Sequence, residues 1–252
     1  MTRSERLVAL RGMIDSAENI VIFTGAGVST ESGIPDFRSP GTGLWTKIKP
    51  VEFSEFVSSA ETRKKSWERK FNGQDTMAKA TPNRGHRAIA HLMDLGKASV
   101  VVTQNVDNLH QASGIADEKV LELHGNANFA KCLTCDERYE LDDLEQQFRS
   151  EGEVQPCEIC GGIIKTATIS FGQALPQDVL MYAVYASEHC DLFIVIGSSL
   201  QVYPAASLPE LAKRSGAQLA ILNRDPTPLD VVADLVVNDE IGPTLGEVVG
   251  VN

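Results

Sequence analysis

The sequence contains no apolar run approaching the roughly 18 residues needed to cross a membrane. The longest such stretch, around 192–196, is only strand-sized. The opening stretch, MTRSERLVALRGMIDSAENI, is amphipathic and charged and lacks the apolar segment of a secretory signal. A cytoplasmic protein is therefore the expectation. Basic charge is also scarce: 23 Lys and Arg stand against 34 Asp and Glu, for a net charge of −11. That balance argues against a nucleic-acid binder held by phosphate contacts. Repeats and low-complexity tracts are absent. Cysteine is sparse, at five residues, and in an intracellular chain such cysteines are metal ligands or free thiols rather than disulfides.

What is present fits a globular α/β protein. A chain of 252 residues suits one large domain, or one domain carrying a small insertion. Short β-branched runs are expected as strands at 20–24, 100–103, 120–123, 192–197, 218–222 and 234–237. Most are continuously apolar, the pattern of parallel strands buried on both faces. Helical patterns lie between them at 5–16, 84–95, 177–187 and 207–215. This order predicts a doubly wound, mostly parallel Rossmann-like sheet. Two stretches interrupt it: 42–80 reads as helical and charged, and 126–165 holds four of the five cysteines. The expected organisation is a sheet domain of residues 1–41, 81–125 and 166–252. The helical segment 42–80 and a zinc-ribbon segment 126–165 would form a second, smaller module.

The cysteines carry the sharpest spacing signal. Cys132 and Cys135 are followed, after 21 intervening residues, by Cys157 and Cys160. Two such knuckles make a tetrahedral thiolate cage for one zinc ion, and with four sulfur ligands no position stays open for catalysis. Gly161 and Gly162 permit the tight turn after the second pair. A redox pair or two unrelated thiol pairs is the competing interpretation. Residues 132–160 hold nine acidic side chains against two arginines, which disfavours a nucleic-acid ribbon. Cys190, beside the run at 192, is expected to be buried and inert.

The first strand runs into Gly25-Ala26-Gly27, the first two glycines of a dinucleotide turn. The third would fall at Thr30 and is absent. An acidic residue about 20 positions on, at the end of a second strand, is also not apparent. A hydride-transferring Rossmann enzyme is thus a poor fit. Three further motifs each follow an expected strand: Thr103-Gln104-Asn105-Val106-Asp107, Glu122-Leu123-His124-Gly125-Asn126 and Ile196-Gly197-Ser198-Ser199-Leu200. Those are carboxyl ends of strands, where open α/β sheets bind ligands. With GAGVSTESGIPDFRS and the four-cysteine ribbon, this set resembles the sirtuin family of NAD-dependent protein lysine deacylases. The resemblance runs from about residue 18 to residue 237, in the family's order.

The resemblance implies that NAD is consumed as a co-substrate, that one structural zinc is held per chain, and that acyl-lysine proteins are the substrates. It implies His124 as general base on a ribose hydroxyl, a role suited to imidazole near neutral pH. Asn105 is implied at the reacting centre. Gly25, Ala26, Gly27 and Ser29 are implied at the diphosphate, with Gly197, Ser198 and Ser199 nearby. Ile34 and Asp107 are implied at the nicotinamide carboxamide, and Phe37 as a shield of the ribose carbon. Asp36 and Arg38 would fix the loop and cofactor, Gln104 and Asn105 would address the nicotinamide ribose, and Asn223 the adenosine ribose. The family clamps its peptide as an added strand, here on 169–173 and 201–204, which contain Phe171, Gly172 and Val202. Gln173 departs from the commoner glutamate and Lys165-Thr166 from a common Arg-Pro. Arg69, in Ser66-Trp67-Glu68-Arg69, stands where a desuccinylase branch carries a Tyr-x-x-Arg pair, but the tyrosine is missing, so acyl preference stays open. His86, His91, His110 and His189 are expected as surface or core residues. A mono-ADP-ribosyltransferase on the same scaffold and a non-catalytic NAD or ADP-ribose sensor remain alternatives. A monomer without nucleic-acid or membrane partners is expected.

Overall fold

The computed structural model describes residues 1–37, 41, 43–44, 49–72, 77 and 79–252. Arg38 and parts of 42–80 lie outside them. The main sheet has six parallel strands in the order β3-β2-β1-β7-β8-β9. These are β1 (Ile20–Thr24), β2 (Ala98–Thr103), β3 (Val120–Glu122), β7 (Leu192–Ile196), β8 (Gln218–Leu222) and β9 (Leu235–Val237). The chain builds outward from β1 on one side, then restarts at β7 and builds outward on the other. The switch point therefore lies between β1 and β7.

Period-two alternation divides these strands between two cores. Ile20 and Ile22 of β1, with Leu192, Ile194 and Ile196 of β7, enter one core. There they meet Leu7, Leu10 and Ile14 of α1 (Arg3–Ser16), Ile89 and Leu92 of α4 (Arg84–Asp94), and Leu245 and Val248 of α9 (Ile241–Val249). Val21, Phe23, Phe193 and Val195 enter the other core, against Ala183 of α7 (Gln177–His189) and Leu208 and Ala212 of α8 (Ser207–Arg214). Both faces are covered, which is why the strand sequences read as unbroken apolar runs. Caps set the helix starts: Thr2 and Glu5 form a reciprocal box at α1, and Asn83 accepts from the Gly85 and His86 amides at α4. Cys190 is buried with its Sγ 3.5 Å from the Ser187 carbonyl, and burial pushes its thiol up to about 11, so it is inert.

A second sheet is antiparallel, in the order β5-β4-β6. Its strands are β4 (Gly125–Cys132), β5 (Arg138–Glu140) and β6 (Ile164–Thr168). A third core joins it to α3 (Ala60–Asn72) and α6 (Leu141–Glu151): Trp67, Leu144, Ile164, Cys132 and Cys157 are buried together. Trp67 stacks on Phe71 at 5.3 Å, and Phe71 contacts Phe148 at 5.5 Å. Helix α2 (Phe53–Ser58) adds the buried Phe56. A one-turn helix α5 (Leu109–Ala112) follows β2. No helix among the described residues is long and apolar enough to cross a membrane.

The two sheets meet at Gly125, one residue after His124. Its φ is +71°, and a Cβ there would lie 1.9 Å from the Ala167 carbonyl oxygen. Gly125→Ala is expected to destabilise the protein by about 3 kcal/mol, from left-handed strain plus the clash. The urea midpoint measures this, and an unchanged midpoint would contradict the packing described.

Candidate active site

The carboxyl ends of β1, β2 and β7 open on a cleft of about 1100 Å³. Its floor is set by backbone contact. The Gly25 amide donates to the Ile196 carbonyl at 3.1 Å and the Gly27 amide to the Gly197 carbonyl at 2.9 Å. A Cβ on Gly25 or Gly27 would lie 2.8 Å from Gly197 backbone atoms, and one on Gly197 only 2.4 Å from the Val28 nitrogen. Both missing side chains at 25 and 27 are thus explained by close approach of two loops at the switch point. Gly25 is the N-cap of a 3-10 helix, Ala26–Ser32, that begins under the cleft.

The sequence motifs converge here. Gly25, Ala26, Gly27, Asp36, Phe37, Gln104, Asn105, His124, Gly197, Ser198, Ser199 and Asn223 line the cleft. Arg69, Phe171, Gly172 and Val202 line its other walls, facing the second sheet. Ser29, Ile34 and Asp107 do not line it; they are buried behind it. Ser29, expected at the diphosphate, is thus set back from the cleft surface, as are Ile34 and Asp107, expected at the nicotinamide carboxamide. Ser29 Oγ donates to Asp107 Oδ2 at 2.7 Å and accepts from Asn105 Nδ2 at 3.1 Å, so the hydroxyl is turned inward. Arg38 lies outside the described residues.

Two histidines extend this network. The Asn83 amide donates to His86 Nδ1 at 3.3 Å, which leaves the proton on Nε2, 3.4 Å from Ser29 Oγ. Thr24 Oγ1 donates to Thr103 Oγ1 at 2.8 Å and therefore accepts from His110 Nε2 at 2.9 Å. Thr103 Oγ1 in turn accepts from the Asn105 amide at 3.0 Å. The two rings lie 5.2 Å apart. Burial holds both neutral: it lowers His86 to about 4, with Asp107 opposing and Arg87 adding, and lowers His110 to about 3, with His86 adding. The expectation that both are core residues holds for their burial, but they also support the site. A sequence signal existed for His86, which sits three residues after a helix-capping asparagine; His110 offered none.

At the cleft surface, His124 is half-buried, with Nδ1 3.0 Å from the Gln104 carbonyl. A carbonyl only accepts, so the proton resides on Nδ1 and Nε2 keeps its lone pair. Gln104 also donates through Nε2 to Ser198 Oγ at 2.8 Å, tying the β2 and β7 loops together. The His124 carbonyl accepts from the Ile169 amide at 2.8 Å, anchoring the end of β6. Asn105 Oδ1 is buried and has no hydrogen-bond partner. Other atoms of Asn105 line the cleft.

The four cysteines fit a metal. Their sulfurs all lie within 4.8 Å of one another, with Cys132–Cys160 at 3.4 Å and Cys135–Cys157 at 3.6 Å. A tetrahedron of Zn–S bonds of about 2.3 Å needs sulfurs roughly 3.8 Å apart. The cluster lies in the second sheet's core, away from His124, so its work is to hold the module's shape.

An open, doubly wound sheet with a glycine-floored crevice at its switch point is the class of α/β protein that takes nucleotides there. The Sir2 family model matches residues 25–204, and the chain belongs to the Sir2 family. An NAD-dependent protein deacetylase of Rhodopseudomonas palustris is 53% identical over 241 residues, covering 96% of this chain and 95% of the relative. An NAD-dependent protein deacylase of Archaeoglobus fulgidus is 40% identical over 238 residues, covering 94% and 92%. Among solved structures, a Sir2 enzyme with peptide and NAD+ superposes with a TM-score of 0.84 at 35% identity, covering 98% of this chain and 97% of that one. Another, bound to an acetylated peptide, has a TM-score of 0.83 at 34% identity with the same coverage.

The neutral histidines give a pH signature. Both have folded values below the ordinary 6.5, so unfolding takes up protons on acidification. Stability is full above pH 6.5 and falls as the pH drops toward 4. The slope reaches up to about 1.4 kcal/mol per pH unit for each histidine. Denaturant titrations between pH 6.5 and 5, above most carboxylate titration, should show this loss. A His86→Gln, His110→Gln double variant should show a flatter slope; an equal slope would refute the assignment.

Proposed function

We propose that this protein is an NAD-dependent protein lysine deacylase that yields nicotinamide, free lysine and O-acyl-ADP-ribose. The observation that carries it is the meeting, in one cleft, of a glycine-floored nucleotide turn, Asn105 and a histidine oriented by the Gln104 carbonyl through its Nδ1. The acyl-lysine carbonyl oxygen would bond to the NAD ribose carbon as nicotinamide departs, and a hydroxyl of the same ribose would then attack the acyl carbon and receive the acyl group as lysine is released.

Each residue then has a task. The backbone at Gly25, Ala26 and Gly27 approaches the diphosphate, with Ser198 and Ser199 beside it. Asn105 Oδ1 accepts from the ribose. Ser29, held by His86, fixes Asn105 and Asp107 from behind, so Asp107 and Ile34 set the nicotinamide end. Asn223 takes the adenosine ribose. Phe37, half-buried at the cleft edge, keeps water from the ribose carbon. Asp36, on the same loop, helps fix the loop and the cofactor. His124 Nε2 takes the proton of the ribose hydroxyl as that oxygen attacks the acyl carbon, and the Gln104 carbonyl stabilises the imidazolium through Nδ1–H.

The substrate enters along β6, an edge strand of the second sheet that continues into residues lining the cleft. An extended peptide adds to such an edge by backbone hydrogen bonds. Phe171, Gly172 and Val202 flank it, and Arg69 stands on the far wall. The division into a sheet domain (1–41, 81–125, 166–252) and a smaller module (42–80, 126–165) is part of this reading. So are a structural zinc on Cys132, Cys135, Cys157 and Cys160, and a cytoplasmic monomer. The net charge of −11 supports action without nucleic acid.

The test is nicotinamide release and peptide deacylation measured side by side with acyl-lysine peptides. Wild type should do both only when an acylated peptide is present. Because proton removal follows nicotinamide departure, His124→Ala should lose about 10²–10⁴ in deacylation while binding NAD as wild type does. Nicotinamide release from wild type without any acyl-peptide requirement would favour ADP-ribosyl transfer, and no turnover with any peptide would favour a sensor.

A further inference from the structure

The four-thiolate cluster is not uniform. Cys132 and Cys157 are buried, at 0% and 3% exposure, while Cys135 and Cys160 reach the surface. Water can solvate the outer pair but not the inner one, so the inner sulfurs depend on donors from the protein. Cys132 has a backbone donor, the Thr134 amide at 3.4 Å. Cys157 has backbone donors at Ile159 and Cys160 and, in addition, a side-chain donor: the Tyr139 hydroxyl lies 3.1 Å from its Sγ.

We propose that Tyr139 is a positioning residue of the metal site, its phenol O–H holding the buried Cys157 sulfur toward the ion and slowing the ion's escape. Three features of the structure support it. First, the register aims the side chain. Tyr139 pairs with Ala130 across β4 and β5, and the Cys132 amide donates to the Glu137 carbonyl at 2.9 Å. The tyrosine is thus carried by the hairpin of the first knuckle, yet its hydroxyl reaches a sulfur of the second. That hydrogen bond runs from one half of the cage to the other, beside the Leu133 amide to Ile163 carbonyl bond at 2.8 Å.

Second, charge makes the donor matter. Four thiolates around a divalent ion leave a formal charge of −2, and the surrounding stretch is itself rich in carboxylates. A hydrogen bond to sulfur spreads that charge and makes the sulfur less available to compete for protons or leave the metal. Third, the ring is fixed by packing. Tyr139 lies against the buried cluster that holds Trp67, Leu144 and Ile164, so the hydroxyl reaches Cys157 without ordering a loose side chain.

The inference rests on the metal reading of the four cysteines, and the test separates the two. Purified wild type and Tyr139→Phe are assayed for zinc content, then for the rate of zinc transfer to a high-affinity colorimetric chelator at fixed pH. Phe148→Leu serves as a packing control, since it loosens the same cluster without touching a sulfur. Both variants are compared at matched fractions of their own Tm. Each protein should carry one zinc per chain, with transfer about tenfold faster from Tyr139→Phe and close to wild type from Phe148→Leu. In the cobalt(II)-substituted proteins, the sulfur-to-metal charge-transfer band should shift in Tyr139→Phe and stay in place in Phe148→Leu. Equal transfer rates in wild type and Tyr139→Phe would overturn the proposal, as would equal acceleration in both variants or an unshifted band. A wild type without metal would overturn the metal reading and this inference with it.

Discussion

The structure depends on one backbone contact: the loop after β1 lies flat on the loop after β7, glycine against glycine. Gly25 and Gly27 donate to the carbonyls of residues 196 and 197, and no Cβ fits at 25, 27 or 197. This contact spans the switch point, where the connections after two adjacent parallel strands leave to opposite faces of the sheet and a crevice must open. Because the loops touch without intervening side chains, peptide backbone rather than side chain forms the cleft floor. A bulkier pair would fill the crevice. The 3-10 helix Ala26–Ser32 begins at the same floor.

Behind the floor, polar groups are buried at real cost, and each is answered by a neighbour. Ser29 receives from Asn105 and from His86 and gives to Asp107; Thr24 receives from His110 and gives to Thr103. Neutral histidines suit this position because each donates from a defined nitrogen without bringing an unpaired charge into the core. Two atoms of this network are exceptions, His110 Nδ1 and Asn105 Oδ1. Leaving a buried acceptor unpaired costs roughly 1–3 kcal/mol, and Asn105 is a cleft residue.

The legible and illegible parts of the sequence divide along physical lines. Strands buried on both faces announce themselves as apolar runs, so the six strands of the main sheet were readable, with differences only at their ends; β2, for instance, begins at Ala98. The cysteine pairs were readable because chelation fixes spacing. Helix α9 was not, because Gly242, Pro243 and Gly246 argue locally against a helix. It forms because packing decides: a Cβ on Gly242 would meet the Glu31 carboxylate, and one on Gly246 the Arg84 side chain. The second sheet was hidden for another reason. Its strands are short, mixed in polarity and partly exposed, so no period marks them. At the site, residues facing the cleft came from strand-end motifs. The inward turn of Ser29 and the support from His86 and His110 depend on which rotamers meet in space, and sequence order does not encode that.

The second module supplies the opposite wall. The metal cage, β4–β6 and the aromatic stack of Trp67, Phe71 and Phe148 form one body, and Gly125 joins that body to the histidine of the first. The cleft is thereby bounded by a floor of backbone and a wall carried by the four-cysteine module. The most direct test is a crystal structure of the protein with NAD and an acetyl-lysine peptide. The diphosphate should lie over residues 25–27, with the nicotinamide end toward Asp107 and the adenosine end toward Asn223. A cofactor bound in the reverse sense, or away from the glycine contact, would contradict the account.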